Sequence, residues 1–218
     1  MTVFVFDAYG TLLDVHSAVA RHAGEIGEAA GRLSEIWRTK QLEYTWITSM
    51  AGRQESFWRL TQQSLDFAIA STGGVPEGVR EKLLEAYEVL DAFAEVPATL
   101  KALRARGCRT GILSNGDHDM LSKAVKAAGI GPLLDHVLSV QDVGIFKPSG
   151  RVYRLVLQRF GVPKEEIVFV SSNRWDVAGA VAFGLRAVWI NRRGSPPEYP
   201  GLQPSLTASD LSALDGVT

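Results

Sequence analysis

One stretch decides the fold of this chain, Val3-Phe4-Val5-Phe6-Asp7-Ala8-Tyr9-Gly10-Thr11-Leu12-Leu13. Four apolar residues that favour β-structure run directly into a carboxylate, and a glycine follows three residues later. An apolar run of this length is typical of a buried strand in a parallel sheet, and open parallel sheets bind ligands at the C-terminal ends of their strands. Asp7 is therefore the leading candidate for a reactive group.

The hydrophobic pattern changes from strand to helix after Leu13 and stays helical to about Phe93, with breaks at Ser56 and at 71–76. From residue 97 onward, helices and strands alternate. The predicted helices are 98–106, 119–128, 151–160 and 176–183, and the predicted strands are 110–113, 136–139, 167–170 and 187–190. Such alternation predicts an α/β fold with a doubly wound parallel sheet, that is, a Rossmann-like core.

The helical stretch is far longer than a crossover between two strands requires, so it is predicted to be a cap inserted after the first strand. The expected domains are the core, residues 1–14 and 95–218, and the helical cap, residues 15–94. The proline-rich stretch 195–201 predicts an irregular surface loop without chemistry, followed by a short tail.

The composition favours a small-molecule partner. Of the 218 residues, 46% are hydrophobic and 22% are charged, and the formal net charge is −1. This composition allows a sizeable core but offers no basic surface for nucleic acid or an anionic membrane. The single Cys108 excludes an internal disulfide, no apolar run approaches the length that spans a bilayer, and no basic stretch precedes Val3 as in a signal peptide. We therefore expect a cytoplasmic protein.

Polar side chains also stand where later strands end. A polar turn follows the strand at 110–113, a second one follows the strand at 167–170, and a lysine precedes the helix between them. Each such residue alone is more simply a turn former, a helix cap or a solvated charge. Because parallel strands share one ligand-binding edge, their joint occurrence with Asp7 predicts a catalytic site. The residues are Ser114, Asn115, Lys147, Ser171, Asn173 and Asp176.

These residues resemble the motifs of a known family. An apolar strand that ends on Asp7, with Gly10 and Thr11 after it, is similar to the first motif of the haloacid dehalogenase superfamily. The strand-end residues, the segment 37–46 and the spacing from Lys147 to Tyr153 narrow the resemblance to the L-2-haloacid dehalogenases. The resemblance covers nearly the whole chain.

The resemblance implies a hydrolase that converts short-chain L-2-haloacids to D-2-hydroxyacids with inversion, through an ester on Asp7. It implies a 2-haloalkanoate substrate, a halide product, no cofactor, no metal, and a homodimer formed by part of the cap. The implied roles are Asp7 as nucleophile, Thr11, Ser171, Asn173 and Asp176 as its support, Lys147 and Tyr153 as orienters, Ser114 and Asn115 as the carboxylate site, and Arg38 as the halide site.

The residue types suit this chemistry. A nucleophilic carboxylate that faces an anionic substrate needs donors to keep it charged and oriented, such as Lys147 and Thr11. The departing halide needs a permanent cation such as Arg38, and Asp176 is the candidate to activate the hydrolytic water. Four residues are candidates for an apolar wall, although such residue types are more often core than pocket. They are Tyr9, Leu42, Phe57 and Trp175.

Two alternatives stay open. Phosphatases of the same superfamily carry a second acid two residues after the nucleophile, where this chain has Tyr9, and paired acids in the last motif, where it has Asn173 and a lone Asp176. Magnesium needs such oxygen ligands, and phosphoryl transfer depends on magnesium. Because the chain lacks these acids, a phosphatase is the second hypothesis and not the first. The third is a non-catalytic module that binds a small anion or a protein.

Overall fold

The computed structural model of the chain describes residues 2–217, so residues 1 and 218, the ends of the predicted core, lie outside the described residues. The described strands form one parallel sheet in the order β3-β2-β1-β4-β5-β6. They are β1 (Val3–Phe6), β2 (Arg109–Ser114), β3 (His136–Ser139), β4 (Ile167–Ser171), β5 (Arg186–Ile190) and β6 (Leu206–Ala208).

The helices are α1 (Ser17–Ala20), α2 (Ala23–Ile26), α3 (Ala30–Met50), α4 (Phe57–Ser71), α5 (Val79–Glu88), α6 (Val96–Ala105), α7 (His118–Ala127), α8 (Gly150–Phe160) and α9 (Arg174–Phe183). Short 3-10 helices occupy Gly27–Ala29, Gly131–Leu133, Val140–Asp142, Lys164–Glu166 and Leu211–Gly216. Within residues 2–217, every helix is too short or too polar to cross a lipid bilayer.

The strand order places β1 at the centre of the sheet, between β2 and β4. The chain builds outward to β3 on one side and then returns to build outward from β4 to β6 on the other. Because crossovers between parallel strands are right-handed, this reversal puts helices on both faces of the sheet. All four residues of β1 are fully buried, as its apolar run predicts. The predicted doubly wound α/β fold is confirmed.

Helices α1 to α5 form what we call the helical segment, residues 17–88, and α3 packs along α4 in an extended contact. The indole N–H of Trp37 on α3 donates to the carbonyl of Thr61 on α4 at 2.9 Å. Helix α4 begins after Ser56, whose hydroxyl accepts the backbone N–H of Arg59, and this is the break that the sequence predicted.

The predicted end of the helical stretch at about Phe93 is wrong, because α5 already ends at Glu88. Residues 91–93 instead pair with the chain that leaves β1. The backbone N–H of Asp14 donates to the carbonyl of Asp91 at 2.8 Å, and that of Phe93 donates to Leu12 at 3.1 Å. The helical segment therefore leaves and rejoins the sheet at neighbouring points.

The predicted short tail is also wrong, because part of it belongs to the sheet. Strand β6 adds to the edge of the sheet, in parallel register with Val188–Ile190 of β5. The 3-10 helix after it buries Leu211 and Leu214 and packs against α6. Strand β6 has only three residues, all partly exposed or exposed, so it lacks the apolar run from which a strand could be predicted.

Candidate active site

Asp7 lies directly after β1, and its carboxylate accepts three hydrogen bonds from different parts of the chain. Its Oδ2 accepts the Thr11 hydroxyl at 3.1 Å and the Asn173 side-chain amide at 2.7 Å, while its Oδ1 accepts Lys147 Nζ at 3.0 Å. Gly10 makes the intervening turn possible, since its φ of 92° lies in the left-handed region. The carboxylate is thus held in one orientation at the centre of the sheet edge.

Lys147 joins Asp7 to the second acid of the site, Asp176. Its side chain is fully buried, and Nζ donates to Asp176 Oδ2 at 2.8 Å as well as to Asp7. Burial alone lowers the pKa of the lysine, but the two facing carboxylates outweigh it and hold that pKa above its ordinary value. The ammonium therefore stays charged between two acids.

Asp176 is completely buried in the first turn of α9. Burial raises its pKa to about 6; the Lys147 ammonium opposes this rise and the nearby Asp7 carboxylate adds to it. One lysine cannot fully compensate two carboxylates in a low-dielectric site, which explains the direction of the shift. Asp176 can therefore exchange a proton near neutral pH.

Tyr153 contacts Asp176 from the buried side of the site. Its hydroxyl donates to Asp176 Oδ1 at 2.7 Å, and its ring is buried against Phe169 and Phe183. Burial raises the pKa of this tyrosine well above its ordinary range, so the hydroxyl keeps its proton as a donor. The placement suits the implied orienting role.

Arg38 reaches the sheet edge from α3 of the helical segment. One guanidinium nitrogen donates to the Tyr9 carbonyl at 3.0 Å and to Asn173 Oδ1 at 3.2 Å. The other donates to Gln41 Oε1 at 2.8 Å. Arg38 therefore contacts the oxygen of the Asn173 amide whose nitrogen donates to Asp7, and both residues line a cleft of about 480 Å³ together with Leu42 and Trp175.

The predicted strand-end residues Ser114, Asn115 and Ser171 converge on the same edge, but each uses its side-chain oxygen to fix a turn. Ser114 Oγ accepts the backbone N–H of Gly116 at 3.0 Å, and Asn115 Oδ1 accepts that of Lys147 at 3.0 Å. Ser171 Oγ accepts the Asn173 N–H at 3.1 Å, so it supports Asp7 through Asn173. These hydrogen bonds are internal to the protein, so they hold the turns in place without a ligand.

Tyr9 and Phe57 lie in a buried aromatic cluster next to the site. The Tyr9 ring stacks on Tyr87 with centroids 5.6 Å apart and meets Phe57 at 5.7 Å. It also packs against Gly116, where an added Cβ would lie 2.7 Å from the tyrosine ring. Among the described residues, the Tyr9 hydroxyl has no hydrogen-bond partner, and burial raises its pKa well above its ordinary range. Two residues after Asp7, the chain thus has a buried aromatic ring and no acid.

Sequence reasoning missed Gln41, Tyr87 and Asp117. Gln41 is fully buried and links Arg38 to Thr61 of α4, at 2.7 Å, and to the hydroxyl of Tyr87, at 2.9 Å. Gln41 lies three residues after Arg38, on the same helix face, and this spacing was the available signal. Asp117 accepts hydrogen bonds from two backbone N–H groups of α4, and no local sequence pattern predicts that contact.

Comparison with known proteins agrees with this geometry. A model of the haloacid dehalogenase-like hydrolase family matches residues 1–184. The chain is 46% identical to (S)-2-haloacid dehalogenase 1 of Pseudomonas sp. (strain CBS-3), over 96% of this chain and 93% of that relative.

Solved structures of dehalogenases also superpose on the chain. One crystal structure of a dehalogenase has a TM-score of 0.96 at 43% identity, over 98% of this chain and 95% of the other. The L-2-haloacid dehalogenase of Xanthobacter autotrophicus with covalently bound chloropropionic acid has a TM-score of 0.89 at 30% identity, over the full length of both chains. The chain belongs to the haloacid dehalogenase-like hydrolases and, within them, to the (S)-2-haloacid dehalogenase branch.

Proposed function

We propose that this protein hydrolyses short-chain L-2-haloacids to D-2-hydroxyacids, with Asp7 as a covalent nucleophile. One observation carries the proposal. The Asp7 carboxylate is held by Thr11, Lys147 and Asn173, and Arg38 contacts the same Asn173 amide through its oxygen. A fixed anion on one side and a permanent cation on the other are what displacement of halide from a saturated carbon requires.

In the first step, one Asp7 oxygen attacks C2 of the substrate from the side opposite the halogen. The new C–O bond forms as the carbon–halogen bond breaks, and the halide takes the bonding electron pair. Arg38 stabilises the charge that develops on the halide, because its guanidinium is always charged and weakly hydrated. The turn at Ser114 and Asn115, which precedes α7, holds the substrate carboxylate through neutral donors. The attack inverts the configuration at C2.

In the second step, water attacks the carboxyl carbon of the Asp7 ester and releases the hydroxy acid. Asp176 takes a proton from this water and returns it to the alkoxide oxygen as that oxygen leaves, and the proton on the new Asp7 carboxyl group goes to solvent. A pKa of about 6 in the site with free Asp7 suits Asp176 to such exchange. Lys147 contacts both acids and neutralises the charge that builds up on the Asp7 oxygens. Tyr153 orients Asp176 through its hydroxyl. The regenerated Asp7 carboxylate closes the cycle.

The proposal assigns residues 15–94 to a cap that closes the site, since this part of the chain supplies Arg38, Leu42 and Phe57. It also includes a homodimer formed by part of the cap. In support, Ile47 and Met50 near the end of α3 are 56% and 76% exposed, next to an apolar groove that includes Trp46 and Phe146. A cytoplasmic location completes the proposal, in keeping with the single cysteine of the chain.

Halide release from L- and D-2-chloropropionate in the presence of EDTA tests the function. We expect turnover of the L enantiomer alone, with D-lactate as the product, and none by Asp7→Asn. Failure with every short haloacid would overturn the proposal. Hydrolysis of a phosphate ester that requires magnesium would favour the phosphatase alternative instead. Light scattering or analytical ultracentrifugation tests the dimer independently.

A further inference from the structure

The carboxylate of Asp117, which lies at the edge of the sheet, is hydrogen-bonded to the helical segment. Asp117 follows the turn at 114–116 and directly precedes α7, and it is buried. Its two oxygens accept the backbone N–H groups of Phe57, at 3.0 Å, and of Trp58, at 2.7 Å. These are the first two residues of α4, some sixty positions away in sequence. An acid of the core thus satisfies the free donors at the start of a helix in the helical segment.

Helix α4 has a second capping residue of its own. Ser56 Oγ accepts the backbone N–H of Arg59, inside the helical segment. A carboxylate suits the positive end of a helix dipole and a serine suits the capping position, so both contacts stabilise the start of α4. Only the Asp117 contact also fixes the position of α4 relative to the sheet. Substitution of each residue in turn can therefore distinguish the capping of α4 from its position relative to the sheet.

The position of α4 matters because it sets the position of Phe57, and the backbone N–H of Phe57 donates to Asp117. The Phe57 ring is buried and lies 5.7 Å from the ring of Tyr9 and 6.2 Å from that of Phe146. Tyr9 lies two residues after Asp7, and Phe146 directly precedes Lys147. A shift of the first turn of α4 would move this ring relative to both sides of the site.

We propose that Asp117 is a positioning residue that fixes Phe57 against the site and so limits the size of the alkyl group accepted at C2. The inference rests on the proposed function, and it names a specificity determinant of that same site. It predicts that loss of the contact lets α4 move outward, so that discrimination between short and long 2-haloacids weakens.

The test compares wild type, Asp117→Ala, Asp117→Asn and Ser56→Ala. The quantity measured is the ratio of kcat/KM for L-2-chloropropionate to that for L-2-chlorohexanoate. We expect Asp117→Ala to lower this ratio by about tenfold, in the range that one misplaced methylene contact is worth in an apolar pocket. Asp117→Asn keeps one of the two acceptors and should lie between. Ser56→Ala should leave the ratio at the wild-type value, although it weakens the same helix end.

Amide hydrogen exchange gives a readout that does not depend on activity. In Asp117→Ala, the amides of Phe57 and Trp58 should exchange faster while that of Arg59 stays protected, and Ser56→Ala should show the reverse. An unchanged ratio in Asp117→Ala, or an equal change in Ser56→Ala, would overturn the inference. If the alanine variant does not fold, Asp117→Asn decides by the same criteria. A wild type without halide release would defeat the proposed function instead, and exchange would then still test the positioning.

Discussion

Replacement of Lys147 by Met should destabilise the fold in a pH-dependent way. The substitution keeps an unbranched side chain of similar length but removes the ammonium that contacts the Asp7 and Asp176 carboxylates, at 3.0 and 2.8 Å from Nζ. Breaking a buried ion pair by removal of one partner costs about 3–5 kcal/mol, because it leaves an uncompensated buried charge. We expect that loss in the free energy of unfolding at pH 8, measured by urea denaturation.

The loss should shrink at pH 5. Without the lysine, the pKa of Asp176, already raised to about 6, rises further in the folded state, while in the unfolded chain it keeps its ordinary value. The folded variant then binds more protons than the unfolded chain, so its stability falls as the pH rises. At pH 5 the folded variant takes up a proton on Asp176 and avoids two adjacent buried charges.

Lys123→Met is the matched control. Lys123 forms an ion pair with Glu88 but is about half exposed, and such surface pairs contribute about 0–1 kcal/mol. Its loss should therefore be small and nearly independent of pH between 5 and 8. A Lys147→Met loss below about 1 kcal/mol at pH 8, or equal losses at both pH values, would show that Lys147 does not compensate the two buried carboxylates.

Three further predictions concern turnover. The kcat for L-2-chloropropionate should rise with pH and level off at or below about 6, because Asp176 must lose its proton to act as a base and the neutral Asp7 ester removes one of the causes that raise the pKa of Asp176 to about 6. Asp176→Asn should instead accumulate an ester of increased protein mass, and a normal turnover rate in that variant would exclude the role. Arg38→Lys should lower kcat by about 10²–10³-fold with the thermal midpoint retained, because the ammonium cannot reproduce the guanidinium fork; a rate within threefold of wild type would argue against the halide site. Dialysis against EDTA should leave halide release unchanged, and restoration of lost activity by magnesium would contradict the account.

Several features of the site were predictable because the topology of a parallel sheet brings strand ends together. Once β1 and β4 were identified as apolar runs, Asp7 and Asp176 had to share one edge, whatever their separation in sequence. The same rule places Asn173, which follows β4, at that edge, whereas Lys147 comes from the loop before α8 and was expected there because Asp7 needs a cationic partner. To predict this shared edge, it is enough to identify the strands from their hydrophobic pattern and the polar residues that follow them.

Other features depend on packing that no local pattern encodes. Asp117 looks like an ordinary helix cap in the sequence, yet its carboxylate caps a different helix some sixty residues away. The hydroxyl oxygens of Ser114 and Ser171 also accept backbone N–H groups within their own turns, contacts that the sequence analysis did not predict. Strand β6 was missed because a short edge strand needs no apolar alternation.

In the proposed mechanism, a side-chain oxygen of Asp7 bonds to the substrate carbon, and water then attacks the carboxyl carbon of that ester. One turnover in H₂¹⁸O with enzyme in excess tests it most directly. The account predicts that ¹⁸O enters the Asp7 carboxylate, detected by mass spectrometry of the peptide that contains it, while the hydroxy acid from that first turnover carries only ¹⁶O from the enzyme. Appearance of ¹⁸O in the first-turnover product, with none in Asp7, would contradict it.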